Sequence, residues 1–268
     1  MDLPLPDTAY DIDFDDEGRD GHAFGRPPGL RPEQWPRSRV NGLPLAHVFT
    51  VRVPAQYRCA GEDLVGLSVF EADDHVADTV EGAADAIAGG EPPAHDPQAA
   101  AFWSALTAYA SDAHPRERYR EDDIGGGWAW IWLTEDELAA PPCPLPDPAT
   151  KLPDYTGQYR MGAWQHDLPP LPLRVRARTD DPNAGKRYDE WGKAAPGYID
   201  MFSEEGKRLG LEDRFLDRCH FGGTATALNG GDFGPFFIGF DEKLGDPNLG
   251  GGGTAHLDLA ADEIGWSQ

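Results

Sequence analysis

The last fifty residues contain the stretch that decides the fold, with turn residues set between short apolar runs. Its segments read Cys219-His220-Phe221-Gly222-Gly223-Thr224-Ala225-Thr226, Asn229-Gly230-Gly231-Asp232-Phe233-Gly234-Pro235-Phe236-Phe237-Ile238 and Ala255-His256-Leu257-Asp258-Leu259. The Asn-Gly and Gly-Asp steps tolerate positive φ and predict a β-hairpin turn at residues 229–232. The apolar run at 236–238 predicts a short buried strand, and residues 255–259 predict the closing strand.

The charge balance narrows the possible partners. The chain has 268 residues, with 47 acidic against 23 basic side chains and a net charge of −24. Such a surface repels phosphate backbones and anionic membranes, so the sequence predicts no nucleic-acid and no membrane partner. It favours encounter with a basic protein. A well-solvated acidic surface without any partner is the simpler alternative.

The cysteines and the N-terminus bear on the compartment. The three cysteines are Cys59, Cys143 and Cys219, an odd number without paired spacing, which is typical of a reducing environment. The first residues lack the basic and apolar regions of a signal peptide, and no apolar run approaches the length of a membrane span. The sequence therefore predicts a cytoplasmic protein.

The first half of the chain alternates strand and helix signals. Residues 1–36 are acidic and rich in proline, so we expect an extended N-terminal arm. Residues 47–53 and 64–70 predict strands, and a helix is expected from Asp96-Pro97 to near Asp112. Residues 128–133 alternate three tryptophans with Ala, Ile and Leu, which predicts a central strand covered on both faces. Residues 134–137 form a capping-box pattern.

A proline-rich segment at residues 141–172 separates the two halves of the chain. We expect a crossover there that joins halves at roughly 37–140 and 173–268. The pattern predicts a single α+β domain, mainly antiparallel β-sheet in two related halves, with a few flanking helices.

Two groups of side chains could bind a ligand. Asp73, Asp74 and His75 follow the second strand, and they could also be a polar strand end or a helix cap. In the strand at 173–178, alternation places three arginines on one face, where they could hold an anion or pair with internal carboxylates. These are Arg174, Arg176 and Arg178. His220 is a further candidate.

The sequence lacks the common catalytic and metal-binding motifs. It has no P-loop, no dinucleotide-binding Gly-x-Gly-x-x-Gly, no nucleophile elbow, no His-Glu-x-x-His and no Cys-x-x-Cys. We therefore assign no cofactor, no metal site and no catalytic residue. Catalysis is unsupported rather than excluded, because a catalytic group can be assembled from distant residues.

Several segments together resemble the YwqG-like bacterial family of unknown function. They are Pro28-Gly29-Leu30-Arg31-Pro32-Glu33-Gln34-Trp35-Pro36-Arg37, Gly42-Leu43-Pro44-Leu45-Ala46-His47-Val48, residues 64–70, Phe221-Gly222-Gly223 and residues 231–238. The resemblance covers about a third of the chain, mostly its two ends. It implies an α+β fold with antiparallel sheets and an immunity or antitoxin-like role beside bacterial toxin systems, and it carries over no catalytic residues.

Two functional hypotheses result. The first is a non-enzymatic protein that neutralises a basic partner by stoichiometric binding. The alternative is an enzyme or small-anion binder that combines the face formed by Arg174, Arg176 and Arg178 with a second set of side chains. That set is Asp73, Asp74, His75 and His220.

Overall fold

Short antiparallel strands make up most of the regular structure. The computed structural model describes residues 4–94, 97–122, 124–152, 162–189, 197–226 and 232–268. The strands are β1 (Ala9–Phe14), β2 (Gly21–Ala23), β3 (Ala46–Arg52), β4 (Leu64–Ala72), β5 (Glu117–Glu121), β6 (Gly127–Thr134), β7 (Leu171–Arg178), β8 (Tyr188–Asp189), β9 (His220–Phe221), β10 (Asp232–Phe233), β11 (Phe237–Asp241), β12 (Thr254–Asp258) and β13 (Glu263–Ser267).

The helices are few and short. They are α1 (Ala83–Ile87), α2 (Ala100–Asp112), α3 (Glu135–Leu138), α4 (Glu204–Arg208) and α5 (Leu211–Phe215). Single 3₁₀ turns lie at Pro32–Gln34, Ala55–Tyr57, Asp74–Val76, Pro97–Ala99 and Pro148–Thr150. The predicted class, α+β with mainly antiparallel sheet and a few helices, is confirmed. No described helix is long and apolar enough to cross a membrane.

The chain divides into two compact units, each built from several segments. Unit 1 comprises Met1–Ala23, Val51–Val65 and Leu171–Gln268, and unit 2 comprises Phe24–Thr50 and Gly66–Pro170. The sequence predicts contiguous halves at roughly 37–140 and 173–268. The units differ from those halves because the N-terminal residues and residues 51–65 group with the C-terminal part of the chain.

Unit 1 has the strand order β13-β12-β11-β9-β1-β7-β2, with a separate two-stranded ladder of β10 and β8. The segment expected to be an extended arm instead supplies β1, which pairs antiparallel with both β7 and β9. Its strand character is hidden in the sequence because Asp11 and Asp13 alternate with Ile12, and acidic residues are poor strand formers. Asp11 and Asp13 stand opposite Arg176 and Arg174 of β7, and their carboxylates form ion pairs with Arg178 and Arg218.

The C-terminal sequence forms strands close to where they were expected. β11 and β12 pair antiparallel from Phe237 opposite Asp258 to Asp241 opposite Thr254. β13 then pairs with β12, a strand that the sequence pattern did not predict. Asn229, Gly230 and Gly231, on which the hairpin prediction rests, lie outside the described residues.

Unit 2 has the strand order β3-β4-β6-β5. The three tryptophans of β6 are at most 1% exposed. The alternate residues Ala129, Ile131 and Leu133 pack in a core cluster that includes Trp35 and Phe70. The expectation of a central strand covered on both faces is therefore confirmed.

The helix expected at 96–112 is α2, preceded by a 3₁₀ turn at Pro97–Ala99. It buries Phe102, Trp103, Leu106 and Tyr109. Asp96, its predicted cap, lies outside the described residues. The capping box at the start of α3 is confirmed, since Thr134 and Glu137 hydrogen-bond to each other's backbone amides.

The proline-rich segment is described at 141–152 and 162–172. Regular structure there is limited to the 3₁₀ turn Pro148–Thr150, isolated bridges from Pro142 to Pro28 and from Gly162 to Leu45, and the start of β7. Proline accounts for this because it donates no backbone hydrogen bond and restricts the residue before it.

Candidate functional site

The arginine stripe of β7 lies in unit 1, and carboxylates neutralise it. Arg174 donates to the Asp15 carboxylate at 2.7 Å, and Arg176 donates to the same group at 2.5 Å. The Arg174 hydrogen bond, followed by the Glu17 backbone N–H, lowers the pKa of Asp15 to about 2. Arg174 and Arg176 therefore form an internal ion pair with Asp15, the second of the two possibilities left open by the sequence.

Arg178 differs from its neighbours because its side chain is buried, with 3% exposed. Its guanidinium bridges the carboxylates of Asp11 and Asp181 and lies over the Phe215 ring, 4.3 Å from the ring centroid. Two carboxylates around one buried arginine leave no net positive charge to offer an external anion.

The buried Asp181 carboxylate is the centre of a fully bonded network. It accepts hydrogen bonds from the Thr224 amide at 2.8 Å, the Thr224 hydroxyl at 2.7 Å and the Asn183 amide at 2.8 Å. These bonds fix the chain just after Gly222 and Gly223, both of which have positive φ. A Cβ on Gly223 would overlap the Asp181 carboxylate, so the turn requires glycine there. The network therefore gives the Gly222–Gly223 turn a structural role.

Sequence reasoning missed Asp181 and Asn183, although a usable signal is present. Residues 180–183 read Asp-Asp-Pro-Asn, a typical Asx-turn composition. Thr224 stands out in the sequence only as part of the glycine-rich stretch. Its role depends on a contact across 43 positions of sequence, and a local pattern does not reveal that.

His220 is a buried, neutral histidine in unit 1. It is 1% exposed, and its Nδ1 lies 2.6 Å from the Gly222 carbonyl oxygen. Burial, with a contribution from the charge of Arg178, lowers the pKa of His220 to about 3. Of the predicted site residues, His220 and Arg178 are thus placed within electrostatic reach of each other.

His256 of β12 is a second buried histidine in this part of unit 1, with 2% exposed. Its ring stacks on Phe233 with centroids 4.3 Å apart. Burial, followed by a smaller electrostatic contribution from His220, lowers the pKa of His256 well below its usual value. In the sequence, His256 is recognisable only as a residue of the closing strand.

The remaining predicted site residues lie in unit 2. Asp74 is buried, and it accepts hydrogen bonds from the Ser38 hydroxyl at 2.6 Å and the Tyr119 hydroxyl at 3.1 Å. Burial raises the pKa of Asp74 to about 6. Asp73 is also buried, whereas His75 is exposed. The structure therefore does not present these three neighbours as one set of converging ligands.

A second carboxyl with a raised pKa lies on β5. Glu117 accepts a hydrogen bond from the Tyr109 hydroxyl, and burial raises its pKa to about 7. Glu117 and Tyr119 are two residues apart, so they share one face of the strand. The Arg39 guanidinium covers the Tyr119 ring at 4.3 Å. Asp74 and Glu117 can each hold a proton near neutral pH, in contact with tyrosine hydroxyls.

The exposed surface of unit 2 carries a long acidic stretch. No lysine or arginine occurs between Arg58 and Arg116. Glu81, Asp85 and Glu91 are exposed in this stretch, and none of them takes part in an ion pair within the described residues. In the same unit a shallow groove runs along α2, lined by side chains that include Glu33, Arg37, Ala101, Ser104, Ala105, Ala108 and Asp147.

Metal and redox chemistry have limited support. The described residues contain no group of three or more His, Cys, Asp or Glu side chains placed to share a metal ion. The three cysteines are free thiols, and burial raises the pKa of Cys59 and Cys143 to about 12. Thiols with such values are poor nucleophiles at neutral pH.

Comparison of the chain with models of protein families, with curated proteins and with solved structures found no match. The geometry and the sequence therefore carry the functional argument alone.

Proposed function

We propose that this chain is a cytoplasmic, non-enzymatic binding protein that forms a stoichiometric complex with a basic protein, in the manner of an immunity protein or antitoxin. The observation that supports it most is the uneven distribution of charge. The stretch between Arg58 and Arg116 has no basic residue other than histidine, and its exposed carboxylates Glu81, Asp85 and Glu91 lack ion-pair partners within the described part of the chain.

The contrast with unit 1 sharpens this argument. There, many carboxylates are paired with arginine, as in Asp11 with Arg178 and Asp15 with Arg174. A carboxylate that already has a partner contributes little long-range potential, whereas unpaired ones of the same sign add up. The acidic stretch of unit 2 therefore directs a basic partner to that unit, where the groove along α2 offers a concave surface.

The resemblance to the YwqG-like family, which implies an immunity or antitoxin-like role, agrees with this proposal. The anion-binding alternative has less support, because Asp11, Asp15 and Asp181 already occupy the arginines that it requires.

The test uses purified chain and the basic protein that it retains from its own cells. Binding of the two purified proteins is titrated calorimetrically at about 50 and 300 mM salt. The Debye length is longer than about 10 Å at the lower concentration and shorter at the higher one. We expect an equimolar complex weakened at least tenfold by the higher salt. The triple variant Glu81→Lys, Asp85→Lys and Glu91→Lys should abolish it.

The matched control reverses three exposed carboxylates of unit 1. The triple variant Glu204→Lys, Asp213→Lys and Glu263→Lys carries the same change in net charge. It should retain most of the affinity. An equal loss of affinity in both triple variants would mean that net charge, and not the position of the carboxylates, determines binding. Affinity that does not change with salt would overturn the electrostatic role.

A further inference from the structure

Two buried histidines converge across a glycine in unit 1. His220 of β9 and His256 of β12 are both cross-strand partners of Gly239 on β11, so all three stand in one row of the sheet. Glycine leaves the centre of the row without a side chain. The Nε2 atoms of His220 and His256 lie 2.9 and 3.2 Å from the point where a Cβ on Gly239 would stand.

The hydrogen bond of His220 fixes which ring nitrogen is free. Its Nδ1 lies 2.6 Å from the Gly222 carbonyl oxygen, and a carbonyl can only accept. Nδ1 therefore carries the hydrogen, and the Nε2 lone pair faces the row. Metal-binding histidines are oriented in this way, by donating from the other ring nitrogen to a carbonyl or carboxylate.

His256 carries a polar function that nothing in the described structure satisfies. Neither of its ring nitrogens has a hydrogen-bond partner there, although the residue is 2% exposed. Its ring packs against Phe233 and Phe237, at centroid distances of 4.3 and 5.3 Å. Phenylalanine would fill such a site without the cost of a buried, unbonded imidazole. A histidine here points to a ligand for its nitrogen.

We propose that His220 and His256 bind one Cu(I) ion through their Nε2 atoms. Imidazole is a good ligand for copper. A metal–imidazole bond is about 2 Å long, so two nitrogens on opposite sides of one ion stand about 4 Å apart. Their common proximity to the Gly239 position is compatible with that spacing. This site is independent of the proposed partner-binding role.

The surroundings favour a soft, singly charged ion over a divalent one. Cu(I) is stable with two ligands, and no third His, Cys, Asp or Glu completes a metal-binding group among the described residues. The Phe233 and Phe237 rings pack against His256, and both histidines are at most 2% exposed, so the site is apolar and largely closed to solvent.

The test is anaerobic titration of the full chain with Cu(I) against a chromogenic Cu(I) chelator. We expect one equivalent to be retained, with an X-ray absorption spectrum of two-coordinate copper bound by nitrogen. That spectrum distinguishes the histidines from the three cysteines, which would give sulfur ligation. Failure to retain an equivalent, or sulfur ligation alone, overturns the proposal.

The decisive variant is His256→Phe, which keeps the aromatic packing and removes one ligand. It should lose nitrogen-bound copper, while His75→Phe, the same change at an exposed histidine, should retain it. Unchanged nitrogen ligation in His256→Phe would refute the assignment. If that variant does not fold, imidazole NMR of the wild type decides, since Cu(I) should shift only two of the eight histidines.

Discussion

The Tyr119 hydroxyl donates a hydrogen bond to the Asp74 carboxylate at 3.1 Å, directly over the Cα of Gly127. A Cβ on Gly127 would overlap both oxygens. Gly127 is the first residue of β6 and stands opposite Glu121 of β5. The buried acid–phenol contact therefore exists only because β6 begins with a residue that has no side chain.

Gly127→Ala should destabilise the protein by about 1–3 kcal/mol, the usual range for overpacking a buried site. Its Cβ would push Tyr119 and Asp74 apart and leave a buried carboxyl with one hydrogen bond fewer. Urea denaturation monitored by tryptophan fluorescence measures the change, because Trp128 lies next to the substitution.

A second substitution shows whether the oxygen is the cause. Tyr119→Phe removes the hydroxyl that meets the new Cβ, so Gly127→Ala should cost less in the Tyr119→Phe background. Additive costs of the two changes would mean that the contact is not what requires glycine.

Asp74 should make the protein less stable as pH rises. Its pKa in the folded state is about 6, above the 3.8 of an ordinary aspartate, so the folded state holds the proton more tightly. This contribution is fully present below about pH 4 and is lost as pH rises through 6. A shift of this size corresponds to an effect on the order of 2–3 kcal/mol.

Asp74→Asn imitates the protonated acid and should remove that pH dependence. Urea unfolding between pH 4 and 7.5 should give a shallower slope for the variant than for the wild type. Asp136→Asn, at an exposed carboxylate in the same unit, serves as the control and should leave the slope unchanged. Equal slopes for Asp74→Asn and wild type would contradict a proton held at Asp74.

Local sequence patterns predicted those strands, helices and caps that depend only on residues near one another in the chain. The period-two run at β6, the aromatic spacing of α2 and the Thr134 capping box all formed as expected. β1 was missed because its pairing strands β7 and β9, and the arginines that pair with Asp11 and Asp13, lie more than 150 residues away in the chain. No pattern within residues 1–36 indicates that β7 and β9 pair with this segment.

The candidate sites were predicted less well, for the same physical reason. The alternation of Arg174, Arg176 and Arg178 was visible, but the location of their counter-charges was not. Likewise, the row of His220, Gly239 and His256 joins three strands, so no sequence spacing announces it. The face on which a side chain lies can be predicted from the local sequence. Which side chains from different strands meet at one site can be predicted only when the register between those strands is known.

The buried histidines should make the protein labile to acid, opposite in sign to Asp74. His220 has a folded-state pKa of about 3 against 6.5 for an ordinary histidine, so the unfolded chain takes up the proton first. The contribution of neutral His220 to the unfolding free energy is therefore fully present above pH 6.5 and is lost as pH falls towards 3. His256, with its pKa also lowered, adds to the effect.

His256→Phe should consequently move the midpoint of acid unfolding to lower pH. Circular dichroism during titration from pH 7 to 2.5 measures it, with copper excluded by a chelator. His75→Phe, the same change at an exposed histidine, is the control and should unfold with the wild-type midpoint. A midpoint unchanged in His256→Phe would assign the acid lability to other groups.

Arg178 and Arg176 allow one substitution to be compared at a buried and an exposed position of the same strand. The Arg178 side chain is 3% exposed between Asp11 and Asp181, whereas that of Arg176 is 57% exposed beside Asp15. Arg178→Met should destabilise by about 3–5 kcal/mol, because it leaves the fully buried Asp181 carboxylate without its counter-charge.

Arg176→Met should cost less than about 1 kcal/mol, since its ion pair is exposed and Asp15 keeps Arg174. The double variant Arg178→Met with Asp181→Asn should recover part of the loss, because no uncompensated charge remains at position 181. Urea unfolding of the four proteins gives the comparison. If Arg178→Met and Arg176→Met lost the same unfolding free energy, charge pairing with Arg178 would not be what stabilises the Asp181 network. The Gly222–Gly223 turn would then depend on the Thr224 and Asn183 hydrogen bonds alone.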